Sequence, residues 1–177
     1  MQLLRQGDIN IVLNAEPYSF GHNFFEAHGP SLCATALRVK DQQAALKRAT
    51  AFRGQPFRGL VGPNECEVPA VRAPDGSLLY LVEQGTAGHT LYDTDFSLDN
   101  NAAATGGLRR IDHMALALPA ESLDSWVLFY KSLFDFAADD EVVLPDPYGL
   151  VKSRALRSQC GTCLLYTSDA ADDSLRV

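Results

Sequence analysis

The sequence predicts an α+β chain made of tandem βαβββ modules, incomplete at both ends. Three observations predict it. A strand, a helix and three further extended segments follow one another between about residues 30 and 85. The same succession restarts 79 residues later, so that Leu32 aligns with Ile111 and Val39 with Leu118. Between the two lies a segment, 86–107, rich in Gly, Ala, Asn and Thr and without hydrophobic period, which reads as a linker.

The elements follow in order. Gln2 to Gln6 and Ile9 to Leu13 read as two strands joined by a turn at Gly7-Asp8, the remnant of a truncated first module. Residues 14–30 are polar, carry His22 and His28 and end in Gly29-Pro30; they read as a loop with at most one helical turn. Leu32 to Val39 is a strand. Asp41 is a good N-cap because its carboxylate can accept from a first-turn amide. Ala45, Ala49 and Phe52 mark one helix face, and Gly54 is the expected stop. Residues 57–72 read as extended, with Glu65 and Glu67 on one strand face. Ala73-Pro-Asp-Gly76 is a tight turn, and Ser77 to Val82 returns as a strand.

In the second copy, Leu108 to Leu118 reads as a strand ended by Pro119, and Ser122 is the candidate N-cap of the next helix. Leu123, Trp126, Val127, Tyr130, Leu133 and Phe134 form its apolar stripe. Asp135 to Asp140 breaks the helix. Glu141 to Leu144 reads as a short strand, Pro145-Asp-Pro147 as a turn and Leu150 to Arg157 as a strand. There the strand pattern stops. The organisation expected is therefore 1–85, 86–107 as linker, 108–160 as the start of a second domain, and 161–177 as a non-native tail.

Composition limits the functions. The 177 residues include 15 basic and 22 acidic ones, a net charge of −7, and the pI is about 5.0. An acidic chain lacks the basic face that nucleic acid or an anionic membrane requires. No apolar run approaches the length of a membrane span, and Met1 to Asp8 lacks the layout of a secretory signal. A cytoplasmic location is expected. Cysteines 33, 66, 160 and 163 form no disulfide framework; Cys160-Gly-Thr-Cys163 matches C-x-x-C but does not open a helix after a strand.

His113 is the sharpest candidate for chemistry. On a strand it shares a face with Ile111, Ala115 and Ala117, and the alanines leave room beside the imidazole for a metal or ligand. A lone strand histidine is as a rule a hydrogen-bonded core or surface residue, and that reading stands beside the first. Ala34 occupies the equivalent place in the first copy. Asp112 faces the other way on a regular strand and is expected to cap or pair locally. His22, His28 and His89 read as solvated loop residues. Glu65 and Glu67 near Cys66 could work as acid and base, with exposed strand charges the plainer reading.

At this point the residues reach a family. The tandem modules, with Ile111-Asp-His-Met-Ala-Leu-Ala-Leu118 opening the later one, resemble the vicinal oxygen chelate fold of glyoxalases and dioxygenases. Leu3-Leu-Arg-Gln-Gly-Asp-Ile9, Ala36-Leu-Arg-Val-Lys-Asp41, Ala73-Pro-Asp-Gly76 and Leu81-Val-Glu83 resemble the N-terminal domain of 4-hydroxyphenylpyruvate dioxygenases. More narrowly, Asn23 to Ser31, Gly59 to Glu65, Leu91 to Phe96 and Ile111 to Ser158 look like the dioxygenase-like half of bacterial two-part 3-dehydroshikimate dehydratases. That resemblance covers about residues 1–160. It implies a fragment of an enzyme of aromatic-compound catabolism that turns 3-dehydroshikimate into protocatechuate in an upstream TIM barrel.

The resemblance also implies a divalent metal, Mg, Mn or Fe(II), in the whole parent, held by two His and one Glu, of which His113 matches the first. The other two would come from strands after residue 160. This chain alone is therefore expected to hold no tightly bound metal and to be inactive. A small-molecule substrate is implied for the parent, and a homo-oligomer is left open. The alternatives are a truncated 4-hydroxyphenylpyruvate dioxygenase and a metal-free binding module of the same fold. A cut second module would leave unpaired sheet edges and exposed apolar surface, which invites aggregation. Leu164-Leu-Tyr-Thr-Ser-Asp-Ala-Ala-Asp172 resembles translated sequencing-adaptor read-through, with a short acidic disordered tail the alternative.

Overall fold

The computed structural model describes the chain except residues 64, 84, 86–89, 98–105, 120, 148, 162, 163 and 170–177; for 146, 164 and 166–169 it describes the backbone alone. The chain divides into two compact units, Met1–Arg110 and Ile111–Val177.

The first unit opens with β1 (Gln2–Gln6) and β2 (Ile9–Leu13), an antiparallel hairpin in register from Gln2↔Leu13 to Gln6↔Ile9. Gly7 supplies the positive φ (56°) that its turn needs. A nine-residue helix, α1 (Phe20–His28), follows where the sequence suggests a loop. Ser19 starts it by accepting from the His22 amide at 3.1 Å. Tertiary contact sustains it: the Phe20 ring lies 5.3 Å from Phe57, and the Arg72 guanidinium sits 5.5 Å and 5.3 Å from those two rings.

The βαβββ order then appears. It comprises β3 (Ala34–Val39), α2 (Gln42–Ala51), β4 (Gln55–Phe57), β5 (Ala70–Arg72) and β6 (Leu78–Glu83). But β3 starts at Ala34 rather than Leu32, Phe52 lies just past the helix and is exposed, and most of 57–72 lies outside the strands. Asp41 caps α2, its Oδ1 accepting from the Ala44 amide at 2.8 Å. The stop differs in detail. Arg53, not Gly54, takes the left-handed conformation (φ 67°), and the Gly54 amide closes the end by donating to the Ala49 carbonyl at 2.8 Å. The sheet order is β3-β6-β5-β4, with β3 parallel to β6. Cross-strand register puts Phe57, Ala70 and Tyr80 on one face and Val71 and Leu79 on the other. Phe57 meets α1 through Phe20, while α2 packs against β4, β5 and β6. Ala70, Val71, Leu78 and Leu81 are wholly buried.

Inside the expected linker a short helix forms, α3 (Leu91–Asp95). Residues Gly106 to Arg110 belong to the first unit, three residues past the expected boundary, because the β1–β2 turn holds Arg109.

The second unit contains β7 (Met114–Leu118), α4 (Leu123–Phe134), β8 (Ala137–Ala138), β9 (Val142–Asp146), β10 (Gly149–Arg157) and β11 (Leu164–Asp169). Its sheet runs β7-β11-β10-β8, with β9 also paired to β10. The helix stripe packs as expected: Leu123, Trp126, Val127, Tyr130 and Leu133 are buried over β10 and β11. Asp135 ends α4 in the left-handed conformation (φ 59°).

Four expectations are corrected here. The strand begins at Met114, not Leu108, because its partner β11 pairs only Met114 to Leu118 and offers nothing upstream. Ser122 stands at the N-cap of α4 as expected, but its side chain caps no amide there: its hydroxyl donates back to the Pro119 carbonyl at 2.6 Å. Pro145-Asp146 is strand rather than turn, paired through Leu150↔Pro145 and Gly149↔Asp146. Finally, the segment expected to lie outside the fold provides β11. It fills the slot between β7 and β10, parallel to the first and antiparallel to the second, and Leu165 is buried there at 2% exposure.

Candidate functional site

His113 stands immediately before β7, so strand alternation does not govern it or Asp112. That freedom lets the two neighbours meet. His113 Nδ1 and Asp112 Oδ2 are 3.0 Å apart, both side chains at least half exposed. Asp112 therefore pairs locally, as expected, but not by facing the opposite side of a strand. With Nδ1 as donor to the carboxylate, the neutral ring carries its lone pair on Nε2, the arrangement a coordinating imidazole uses. An Asp-His step just outside a strand is free to pair, whereas inside one the two side chains point to opposite faces. Beyond the pair, Ala115 and Ala117 of β7 are exposed, whereas Leu118 is buried.

The other candidates are not brought to this pair. His22 and His28 lie on α1 six residues apart, which points them well away from each other. His22 faces Glu26 at 3.9 Å, and His28 stacks on Phe24 at 4.2 Å. His89 lies outside the described residues. Glu65 and Glu67 do not share a strand face, because β5 begins only at Ala70. Glu65 accepts from the Gly62 amide at 2.7 Å, and Glu67 lies 3.9 Å from Arg58. The Cys66 amide donates to Asp95 at 3.1 Å. Cys160 Sγ lies 3.3 Å from the Ser158 hydroxyl, and Cys163 is outside the described residues.

Among the described residues no three His, Cys, Asp or Glu side chains come together as a metal site. The donor set present, one imidazole with its carboxylate partner, does not fit a complete 2-His-1-carboxylate centre, and no reaction step runs through one here. No helix among the described residues is long and apolar enough to cross a membrane.

A polar network that sequence reading passed over lies on α3. Asp93 Oδ2 accepts from the Thr90 amide and hydroxyl, both at 2.8 Å, while its Oδ1 accepts from Arg5 at 2.7 Å. The Thr90 amide, the Thr90 hydroxyl and then the Arg5 guanidinium hold this carboxyl down at about 2. Thr90-Leu-Tyr-Asp93 is a capping-box spacing and could have been found from sequence. Tyr80 and Tyr92 are half-buried, and burial pushes both phenols up.

Each unit holds one sheet in which the strand before a helix lies parallel beside a later strand, β3 beside β6 and β7 beside β11, with antiparallel strands beyond it and that helix, α2 or α4, packed on the sheet. The units are modules of the vicinal oxygen chelate class. Residues 1–97, more than half of the chain, match the family described as hydroxyphenylpyruvate dioxygenase, HPPD, N-terminal, and the chain belongs to that family.

Relatives refine the picture. A 3-dehydroshikimate dehydratase of Pseudomonas putida is 98% identical over 165 residues, 93% of this chain and 26% of that protein. A 4-hydroxyphenylpyruvate dioxygenase of a Pseudomonas species is 36% identical over 165 residues, 91% of this chain and 46% of that protein. The solved structure of a xylose isomerase-like TIM barrel/4-hydroxyphenylpyruvate dioxygenase fusion protein superposes with a TM-score of 0.82 at 86% identity, over 98% of this chain and 26% of that one. The chain thus spans about a quarter of the length of the dehydratase it matches.

Proposed function

We propose that this chain is a piece of the dioxygenase-like half of a longer 3-dehydroshikimate dehydratase. The observation that carries the reading is the 98% identity to such an enzyme, against 36% to a 4-hydroxyphenylpyruvate dioxygenase. On this reading a TIM barrel elsewhere in the parent dehydrates 3-dehydroshikimate to protocatechuate, and the 177 residues alone convert nothing. The parent works in the cytoplasm on a small molecule. His113 is one ligand of a divalent metal, Mg, Mn or Fe(II), whose other ligands come from strands outside this chain. The Asp112–His113 pair supports that assignment, because a carboxylate on Nδ1 orients an imidazole for coordination through Nε2.

The test is expression of the complete reading frame that contains this segment. It is expected to form protocatechuate from 3-dehydroshikimate. A frame without a barrel that consumes 4-hydroxyphenylpyruvate overturns the reading. For the ligand, metal content of the full-length protein is compared with that of H113A. The substitution is expected to lower bound metal; unchanged content refutes the role of His113.

The reading also holds that the adaptor-like stretch from Leu164 is foreign to the parent. The same reading frame decides it, since a native coding sequence running through Cys163 into Leu164-Leu-Tyr overturns the idea.

A further inference from the structure

We propose that the β1–β2 hairpin is a clasp that grips both ends of the chain joining the two modules and fixes the point at which it leaves the first unit. The observations lie on four consecutive residues. Arg5 grips the early end, its guanidinium donating to Asp93 on α3 at 2.7 Å. Gln6, Gly7 and Asp8 grip the late end. The Asp8 amide donates to the Arg109 carbonyl at 2.8 Å. The Gln6 side-chain amide nitrogen is buried, and a Cβ on Gly106 would overlap that amide. A Cβ on Gly7 would come within 2.6 Å of the Arg109 oxygen.

Gly7 is the glycine that the close approach requires, because it faces backbone, whereas Gly106 faces the movable end of the Gln6 side chain. Gly7 carries a second demand, its φ of 56°. These demands are separable. Asparagine tolerates the left-handed conformation, yet its Cβ still meets Arg109. Gly7→Asn should therefore keep the hairpin and open the clasp.

Trypsin reads the state directly, because Arg109 and Arg110 are themselves cleavage sites. Cleavage there is expected to rise at least about tenfold in Gly7→Asn, since local opening governs attack. Cleavage after the exposed Arg58 serves as the internal reference and is expected to stay constant. Arg5→Ala is expected to raise cleavage between the units by a smaller factor, and Arg5→Lys to restore most of the protection. Unchanged cleavage after Arg109 and Arg110 in Gly7→Asn overturns the clasp. Amide exchange in the unaltered chain tests it without any variant: Asp8 is expected to be protected, and exchange at the free-peptide rate overturns the proposal.

Discussion

The two modules share a topology but bury different parts of it. In the first unit the fully buried residues are on the strands, Ala70, Val71, Leu78, Leu79 and Leu81, while α2 buries only Ala49. In the second the burden moves to the helix: α4 buries five side chains, and the sheet adds Leu118, Leu156 and Leu165. The cause is coverage. Phe57 and Arg72 hold α1 on one face of the first sheet while α2 packs against the same strands, so β5 and β6 read as nearly continuous apolar runs. In β7 burial alternates, and Ala115 and Ala117 stay exposed. A strand run thus reports how many faces are covered, not which fold it belongs to.

The sole tryptophan, Trp126, lies in the core of the second unit and reports on that unit alone. The largest effect is expected from removing residues 164–177. Without β11, β7 and β10 lose their shared neighbour, so the cooperative Trp126 transition in urea should vanish. Hydrogen exchange of the β6 amides should hardly change. A retained Trp126 transition would show that the second sheet does without this strand.

Next in size are cavities. Leu78→Ala and Leu133→Ala should each cost about 2–5 kcal/mol in their own unit. Only Leu133→Ala should shift the Trp126 midpoint. A shift from Leu78→Ala would show that the units unfold together.

The caps come third. Asp41→Ala should cost about 1 kcal/mol, seen in the exchange of α2 amides. Ser122→Ala should cost only a few tenths, since its hydroxyl caps no amide of α4. The smallest effect is that of Asp93. Its carboxyl is depressed from 3.8 to about 2, so its contribution is complete above 3.8 and lost as pH falls through about 2. Acid titration of the first unit should show that loss in the wild type and not in Asp93→Asn.

Much of this architecture was legible because it rests on local chemistry. The α4 stripe, the Asp41 cap and the Gly76 turn each need only neighbouring residues. What stayed illegible depended on partners far along the chain. The α1 segment contains Gly21, His22 and Asn23, poor helix formers, and is held by Phe57 and Arg72. The start of β7 is set by β11, about fifty residues away in sequence, so the residues from Leu108 to His113 could not reveal it. At the candidate site, His113 was visible as a residue type. Its pairing with Asp112 was not, because that depends on where the strand begins.

The parallel pairs have a kinetic consequence. In each βαβββ module β3 or β7 joins a strand that arrives only after the helix and the intervening strands: Ala34 meets Leu78, and Met114 meets Leu165. Among the strand pairings these close the longest loops, so they are expected to form after the local hairpins. On a ribosome, β3 must wait until β6 has emerged, and β7 until β11 has. Throughout that wait each growing module presents an open strand to other nascent chains.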